Sequence, residues 1–130
     1  MKRKKLMRLI TTMLALLLAF GGAWADWVKI GASDSGELFL DPETIRKEGH
    51  IRKVWQLQNL NQADESGALS RRYRKEYDCT DKRDRILSFR KHSGSMATGK
   101  ILDKGNLADP WQDIPPGSFS GTVLNTVCAN

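Results

Sequence analysis

The segment RRYRKEYDC, residues 71–79, alternates between two kinds of side chain and thereby restricts how this chain can fold. One set holds Tyr73, Tyr77 and Cys79 among two basic residues. The intervening set is entirely charged: Arg72, Arg74, Glu76 and Asp78. A period of two is typical of a β-strand with one face against a core and the other in water. We therefore predict a strand whose aromatic rings and thiol point inward while the intervening charges are hydrated.

Basic residues are dense in this strand and in the segment that follows it. Residues 80–84 form a polar connection of hairpin length, and residues 85–91 alternate again. Acids are interleaved with the bases, as on a solvated hairpin face with ion pairs across it. The alternative is a contact surface for an anionic partner, because guanidinium groups match carboxylates, sulfates and phosphates. Six residues would form that surface: Arg72, Arg74, Arg83, Arg85, Arg90 and Lys91.

The N-terminus has the three parts of a secretory signal peptide. MKRKKLMR is strongly basic, residues 9–20 are nearly all apolar, and residues 23–25 read AWA, which fits an A-x-A cleavage site. The apolar run is shorter than the about 20 residues that a membrane-spanning helix requires. We therefore expect residues 1–25 to be cleaved from an exported domain, residues 26–130, that is periplasmic or secreted and not transmembrane. An uncleaved membrane anchor is the alternative.

The excess of positive charge belongs largely to that N-terminal segment. The chain has 21 Lys and Arg against 15 Asp and Glu, a net charge of +6. Five of the basic residues and none of the acidic ones lie in residues 1–25. Residues 26–130 are therefore nearly neutral and lack the overall field that would concentrate a polyanion. Together with export, this argues against a nucleic-acid partner.

Cys79 and Cys128 are the two cysteines of the chain. An even count in an oxidising compartment predicts a disulfide, which would close a loop of about 50 residues. An intermolecular bridge is the main alternative. A metal site is disfavoured, because it would need more ligands than the two thiols and the distant His50 and His92 provide.

The remaining segments predict further strands and one short helix. Asp41-Pro42 favours a turn or helical kink that ends near Gly49, and a loop is expected at 103–110. Strands are predicted at residues 27–30, 37–40, 51–60, 71–79, 85–91 and shortly before 103.

Near the C-terminus, apolar residues recur at helical spacing from Phe119 to Cys128, and Ser118 or Ser120 is a suitable N-cap. A strand is the weaker interpretation of this tail. The predicted fold class is α+β: a single small domain with an antiparallel β-sheet of about five to six strands and a short C-terminal helix packed on one face. The disulfide would attach that helix to the sheet.

Several short motifs, taken in order, resemble the surface-adhesin protein E family over nearly all of residues 26–130. The matching residues are Trp27, Asp41-Pro42, Thr44-Ile45, Val54-Trp55-Gln56-Leu57, Glu76-Tyr77-Asp78-Cys79, Arg83, Arg85, Leu87, Ser93-Gly94, Met96, Gly99-Lys100, Trp111, Ile114, Pro116-Gly117-Ser118 and Val127-Cys128. The resemblance implies an antiparallel sheet of about six strands with a C-terminal helix. It also implies an exported, non-enzymatic binding protein that adheres to host extracellular proteins, with a link to haem. No cysteine for lipid attachment follows the signal, so we expect a soluble periplasmic protein rather than a surface-displayed one.

No set of residues indicates an enzyme. Ser93 and Ser95 follow His92, but the G-x-S-x-G motif of a nucleophile elbow is missing. The carboxylates of the 78–84 segment are flanked by bases, which predicts ion pairs across the hairpin rather than acid–base catalysis.

Haem is the one cofactor for which ligands can be suggested. His50, His92 or Met96 would be the axial ligand. The leading functional prediction is an adhesin-like envelope protein that binds a protein, an anionic glycan or a lipid through a sheet edge or the basic hairpin surface. The alternative is a small periplasmic ligand binder, with haem as the ligand.

Overall fold

Strands and one short helix account for most of residues 26–129, the part of the chain that this computed structural model describes. The predicted signal peptide, residues 1–25, lies outside the described residues. The elements are β1 Val28–Ser33, β2 Gly36–Glu48, β3 Ile51–Leu60, β4 Ser70–Asp78, β5 Arg83–His92, β6 Ile101–Asn106, β7 Gln112–Asp113 and α1 Phe119–Val127.

The strands form one antiparallel sheet in which β1 to β6 lie side by side in chain order. The two-residue β7 pairs with β5 at Arg83 and Asp84, beyond the stretch of β5 that β6 occupies. Sequential antiparallel neighbours need only short connections, and this chain provides polar or glycine-containing turns between them. The predicted antiparallel sheet with a short C-terminal helix is confirmed, with β7 as an additional short strand.

Strand β2 corrects the predicted turn or helical kink at 41–49, because it stays extended as far as Glu48. Pro42 has no N–H to donate, and the pairing of β2 with β3 is interrupted between Asp41 and Arg46. The Thr44 hydroxyl bridges the gap: its Oγ1 donates to the Asp41 carbonyl at 2.7 Å and accepts from the Trp55 N–H at 3.0 Å. A side chain thus satisfies backbone groups that the ladder leaves open.

The core lies between α1 and one face of the sheet, which we call the helix face. Val123, Leu124 and Val127 of α1 pack against four buried strand residues: Leu38, Leu40, Val54 and Tyr77. The Ser118 side chain caps the helix by accepting from the Gly121 N–H at 3.1 Å. The predicted helix is therefore confirmed, and its apolar stripe covers the sheet as expected.

Tyr77 is fully buried on the helix face, and its hydroxyl donates to Gln56 Oε1 at 2.6 Å. The predicted inward orientation of this ring is confirmed, whereas Tyr73 is half-buried. Beyond the end of β4, Cys79 is bonded to Cys128 at the end of α1, with their Cα atoms 5.7 Å apart. The disulfide is thus intramolecular and fastens the helix to the sheet, as predicted.

The prediction that all four intervening charges of β4 are hydrated is wrong for two of them. Glu76 is 7 % exposed and Asp78 is 2 % exposed. Both lie on the sheet face opposite α1, which we call the outer face, where side chains from β5 cover them. Burial is tolerated because Asp78 accepts hydrogen bonds from the N–H groups of Thr80 and Asp81, each at 3.0 Å.

Candidate anion-binding surface

The outer face is built from alternate residues of β3 to β6, and the strand register sets which of them are neighbours. Leu57, Arg72, Arg90 and Lys104 form one row across these four strands. Trp55, Arg74, Ser88 and Asn106 form the adjacent row. A register shift between Arg74 and Lys75 keeps Ser88 and Arg90 on the outer face. The sequence pattern alone does not reveal that shift.

One half of the outer face is neutralised by ion pairs. Arg83 contacts Asp78 at 3.0 Å and Asp81 at 3.3 Å, and Arg85 makes two hydrogen bonds to Glu76 at 3.2 and 3.1 Å. Both guanidinium groups also lie against the Trp111 ring, at 5.4 and 4.5 Å from its centroid. Two of the six predicted surface residues, Arg83 and Arg85, are therefore occupied in binding acids of this chain.

The other half carries positive charge without a matching acid. Arg72, Arg74, Arg90 and Lys104 make no salt bridge with any carboxylate among residues 26–129. Arg74, Arg90 and Lys104 are exposed, and Arg72 is half-buried. We call these four residues the basic surface. Three of them belong to the predicted set.

Lys104 was not predicted as a surface residue, because residues 103–110 were expected to form a loop. It lies in β6, whose pairing with β5 makes it the neighbour of Arg90. Lys91, a predicted member, has Arg71 as its neighbour on β4 and therefore lies on the helix face. The structure thus replaces Lys91 by Lys104 and separates Arg83 and Arg85 from the remaining arginines.

A cavity of about 440 Å³ opens on the basic surface. Its lining includes Trp55, Arg74, Ser88, Arg90, Lys104 and Asn106. The Arg72 guanidinium lies 5.2 Å from the centroid of the Trp55 ring, which fixes one side of the indole. Trp55, Ser88 and Asn106 were not among the predicted site residues, because a lone aromatic, hydroxyl or amide has no spacing signal.

Burial and, to a smaller extent, the neighbouring cations lower the pKa values of two groups in this half of the outer face. Burial, followed by the charge of Arg90, lowers the pKa of Arg72. Burial, followed by the charges of Arg72 and Arg90, lowers the pKa of His92. His92 is 5 % exposed, and neither ring nitrogen has a hydrogen-bond partner among the described residues. An anion bound here would relieve the repulsion between positive groups.

Stability is expected to decrease as the pH falls below about 6.5, the ordinary pKa of histidine. The unfolded chain protonates His92 near that pH, whereas the folded protein does so only at a lower pH. The stability linked to neutral His92 is complete above the ordinary pKa and is lost as the pH falls towards the folded value. Urea unfolding at about pH 7.5 and about pH 5.5 should show a smaller response in His92→Gln than in wild type or in His50→Gln. Equal responses of His92→Gln and wild type would contradict this assignment.

Two of the predicted haem ligands, His50 and His92, lie far apart. His50 is exposed in the turn before β3, 3.8 Å from Asp78, whereas His92 is level with Asn59 at the opposite end of β3. At about 3.3 Å per residue, roughly 26 Å of strand separates them, so they cannot ligate the same iron. Met96 lies in the loop before β6, where its N–H donates to Asn59 Oδ1. Haem binding stays a prediction. No group of three potential metal ligands occurs in residues 26–129.

The sequence model of the surface-adhesin protein E family matches residues 27–129, which include every strand and the helix described above. The chain belongs to the surface-adhesin protein E family. This confirms the resemblance drawn from the ordered motifs. Membership in the protein E family supports an exported or surface location. No helix of residues 26–129 has the length and apolar character needed to cross a membrane.

Solved structures of protein E from Haemophilus influenzae have the same fold. Crystal form II has a TM-score of 0.63 at 12% identity, covering 83% of this chain and 91% of that one. The structure of protein E from non-typeable Haemophilus influenzae has a TM-score of 0.57 at 13% identity, covering 85% and 80%. At such identities the likeness concerns the fold alone. A comparison with curated proteins found no match.

Proposed function

We propose that this protein E family member is an exported, non-enzymatic, adhesin-like binding protein that holds anionic partners on the basic surface. The main support for the proposal is the difference in ion pairing between the two halves of the outer face. The arginines of one half, Arg83 and Arg85, are matched by Asp78, Asp81 and Glu76. The cations of the other half have no such acid among the described residues.

Unmatched like charges on adjacent strands oppose folding, because directly opposed charges of one sign are destabilising. Arg72 and Arg90 are opposed in this way, and so are Arg90 and Lys104. Residues 26–130 contain almost as many acids as bases, so the composition alone does not require the cluster. A partner that supplies negative charge would offset the repulsion, and this is the physical reason for assigning binding to this half.

A binding role also agrees with the groups that line the cavity. Its lining contains arginine, lysine, serine, asparagine and aromatic side chains but no carboxylate, histidine or cysteine. Cations and neutral hydrogen-bonding groups can hold an anion, but this set has no general base at neutral pH. Lys104 belongs to β6, an exposed strand at the edge of the sheet. The predicted sheet edge and the basic surface are therefore contiguous.

The proposal is tested by capture on immobilised extracellular matrix, with host matrix protein and glycan as the anionic partners. Arg74→Glu/Arg90→Glu is expected to reduce capture at least about tenfold, because it reverses two exposed charges of the basic surface. Capture of wild type should also weaken as NaCl rises from about 50 mM to about 500 mM.

The matched control is Lys47→Glu/Lys91→Glu, which changes net charge by the same amount away from the basic surface. Lys47 is exposed near the end of β2, and Lys91 is on the helix face. This control should retain capture within about twofold. Equal losses in the two variants, or capture of wild type that is insensitive to salt, would contradict the proposal. Matching far-UV circular dichroism spectra would establish that both variants fold.

A further inference from the structure

We infer that the ligand of the basic surface is a sulfated polysaccharide, an inference that rests on the proposed function. The basic surface is an array of four cationic side chains on adjacent strands rather than one cation in a pocket. Arg72, Arg90 and Lys104 are neighbours across three strands at about 5 Å per step. Arg74 lies two residues further along β4, at about 7 Å. Such an array suits a ligand that carries several anionic groups at short, regular intervals.

The cations are mostly arginines, which favours a multidentate oxyanion. A guanidinium presents a planar fork of N–H donors that pairs with two oxygens of one sulfate. Arg74 and Arg90 are both exposed and both line the cavity. Their donors are available because neither side chain is hydrogen-bonded to a residue of the described chain. Sulfate groups on a flexible chain would therefore meet free donors rather than competing ion pairs.

Neutral groups of the same cavity indicate a sugar rather than a bare anion. Ser88 and Asn106 are register partners on β5 and β6, and neither side chain makes a hydrogen bond within residues 26–129. A hydroxyl and an amide beside an aromatic ring provide hydrogen bonds for sugar hydroxyls and a surface for the apolar side of a sugar ring. Trp55 is that ring, held by Arg72. The volume of about 440 Å³ lies in the range of small-ligand sites.

Two other polyanions fit these observations less well. A lipid bilayer is bound by inserted apolar side chains as well as by cations, but the exposed aliphatic residues Val28, Ile101, Leu102 and Leu107 are not in the cavity lining. Single-stranded nucleic acid is bound on successive aromatic platforms, whereas the two aromatic residues of this cavity do not share a face: Trp55 is on the outer face and Phe89, opposite Tyr73, is on the helix face.

The test is calorimetric titration of the purified exported protein, residues 26–130, with a heparin-derived tetrasaccharide, because the basic residues of the signal peptide would themselves bind a sulfated chain. Parallel titrations use the same tetrasaccharide after chemical desulfation, inorganic sulfate, phosphatidylglycerol vesicles and an oligothymidine. We expect the sulfated tetrasaccharide to bind at least about tenfold more tightly than its desulfated form and than inorganic sulfate. Equal affinity for the sulfated and desulfated sugars would overturn the inference.

Uncharged variants separate sugar recognition from general electrostatics. Ser88→Ala/Asn106→Ala is expected to weaken tetrasaccharide binding about fivefold or more, since the sugar hydroxyls lose two partners while the net charge is unchanged. The control Thr122→Ala/Asn125→Ala, on the exposed side of α1, should bind as wild type does. Trp55→Leu should weaken binding about tenfold through loss of ring stacking. Unchanged affinity in both Ser88→Ala/Asn106→Ala and Trp55→Leu would also overturn the inference.

The remaining outcomes distinguish this inference from the proposed function. If only the vesicles or the oligothymidine bind, the ligand is a lipid surface or a nucleic acid, and the inference is wrong. If the tetrasaccharide does not bind while matrix capture still depends on Arg74 and Arg90, the inference fails and the proposed function stands. If matrix capture is also independent of those residues, both fail.

Discussion

Cys79→Ala/Cys128→Ala is expected to lower the free energy of unfolding by about 4 kcal/mol, the entropy associated with a loop of this length. The cysteines are 49 residues apart in sequence, and the bridge joins the end of β4 to the end of α1. Without it the unfolded chain gains freedom, while the helix is held to the sheet mainly by Val123, Leu124 and Val127. In a domain of this size, the loss is a large part of total stability.

Urea unfolding in oxidising buffer measures this effect. Wild type treated with a reductant should unfold near the midpoint of the double variant, which would show that the lost bond, rather than the lost sulfur atoms, is responsible. The far-UV helix signal of the variant should decrease before the sheet signal as urea increases, because α1 is then attached by packing alone. A change of less than about 1 kcal/mol would mean that the bridge adds little to the packed helix.

Asp84→Asn is expected to cost about 3 kcal/mol, because it leaves a buried lysine without its counter-charge. Lys75 Nζ lies 2.6 Å from Asp84 Oδ2, and the two side chains are 10% and 11% exposed. The ammonium group also contacts Ser120 Oγ at 3.3 Å and lies 5.3 Å from the centroid of the Tyr77 ring. These contacts keep the lysine on the helix face, where an uncompensated charge is poorly hydrated.

Replacement of both partners should be milder than removal of one. In Lys75→Met/Asp84→Leu no buried charge remains, so the double variant should be more stable than Asp84→Asn. Glu37→Gln is the matched control, because it breaks the exposed Lys29–Glu37 pair and should cost less than about 1 kcal/mol. Thermal and urea unfolding of the three variants provide the comparison. An Asp84→Asn protein as stable as Glu37→Gln would contradict the assigned role of the pair.

The spacing of apolar side chains was sufficient to predict the elements that follow a strict alternation or a helical repeat. The alternation in β4 correctly placed Tyr77 on the helix face, and the helical spacing after Ser118 correctly gave α1. Only residues 37–40 of β2 were predicted as a strand, because a Pro at position 42 normally interrupts one, whereas β2 continues to Glu48. The tertiary bond from the Thr44 hydroxyl to Trp55 compensates at that point. No local pattern encodes a side-chain bridge between residues 11 positions apart.

The candidate site was predicted only in part, because its composition depends on register and pairing. Alternation identified Arg72, Arg74 and Arg90 as outward residues, but it could not separate them from Arg83 and Arg85. That separation arises from buried Asp78 and Glu76, which are charged residues that a binary pattern assigns to water. Lys104 joins the site through the pairing of β5 with β6, which is a long-range contact. Trp55 is contributed by a third strand.

A nuclear magnetic resonance titration of the isotope-labelled protein tests the central assignment most directly. The tetrasaccharide and an acidic peptide are added to separate samples, and the Trp55 indole N–H and the backbone amides of Ser88 and Asn106 are followed. For either ligand, the largest chemical-shift changes should fall on these groups, and Arg74→Glu/Arg90→Glu should abolish them. Chemical-shift changes confined to α1 or to β1, or no binding of either ligand, would contradict the assignment of anion binding to the basic surface.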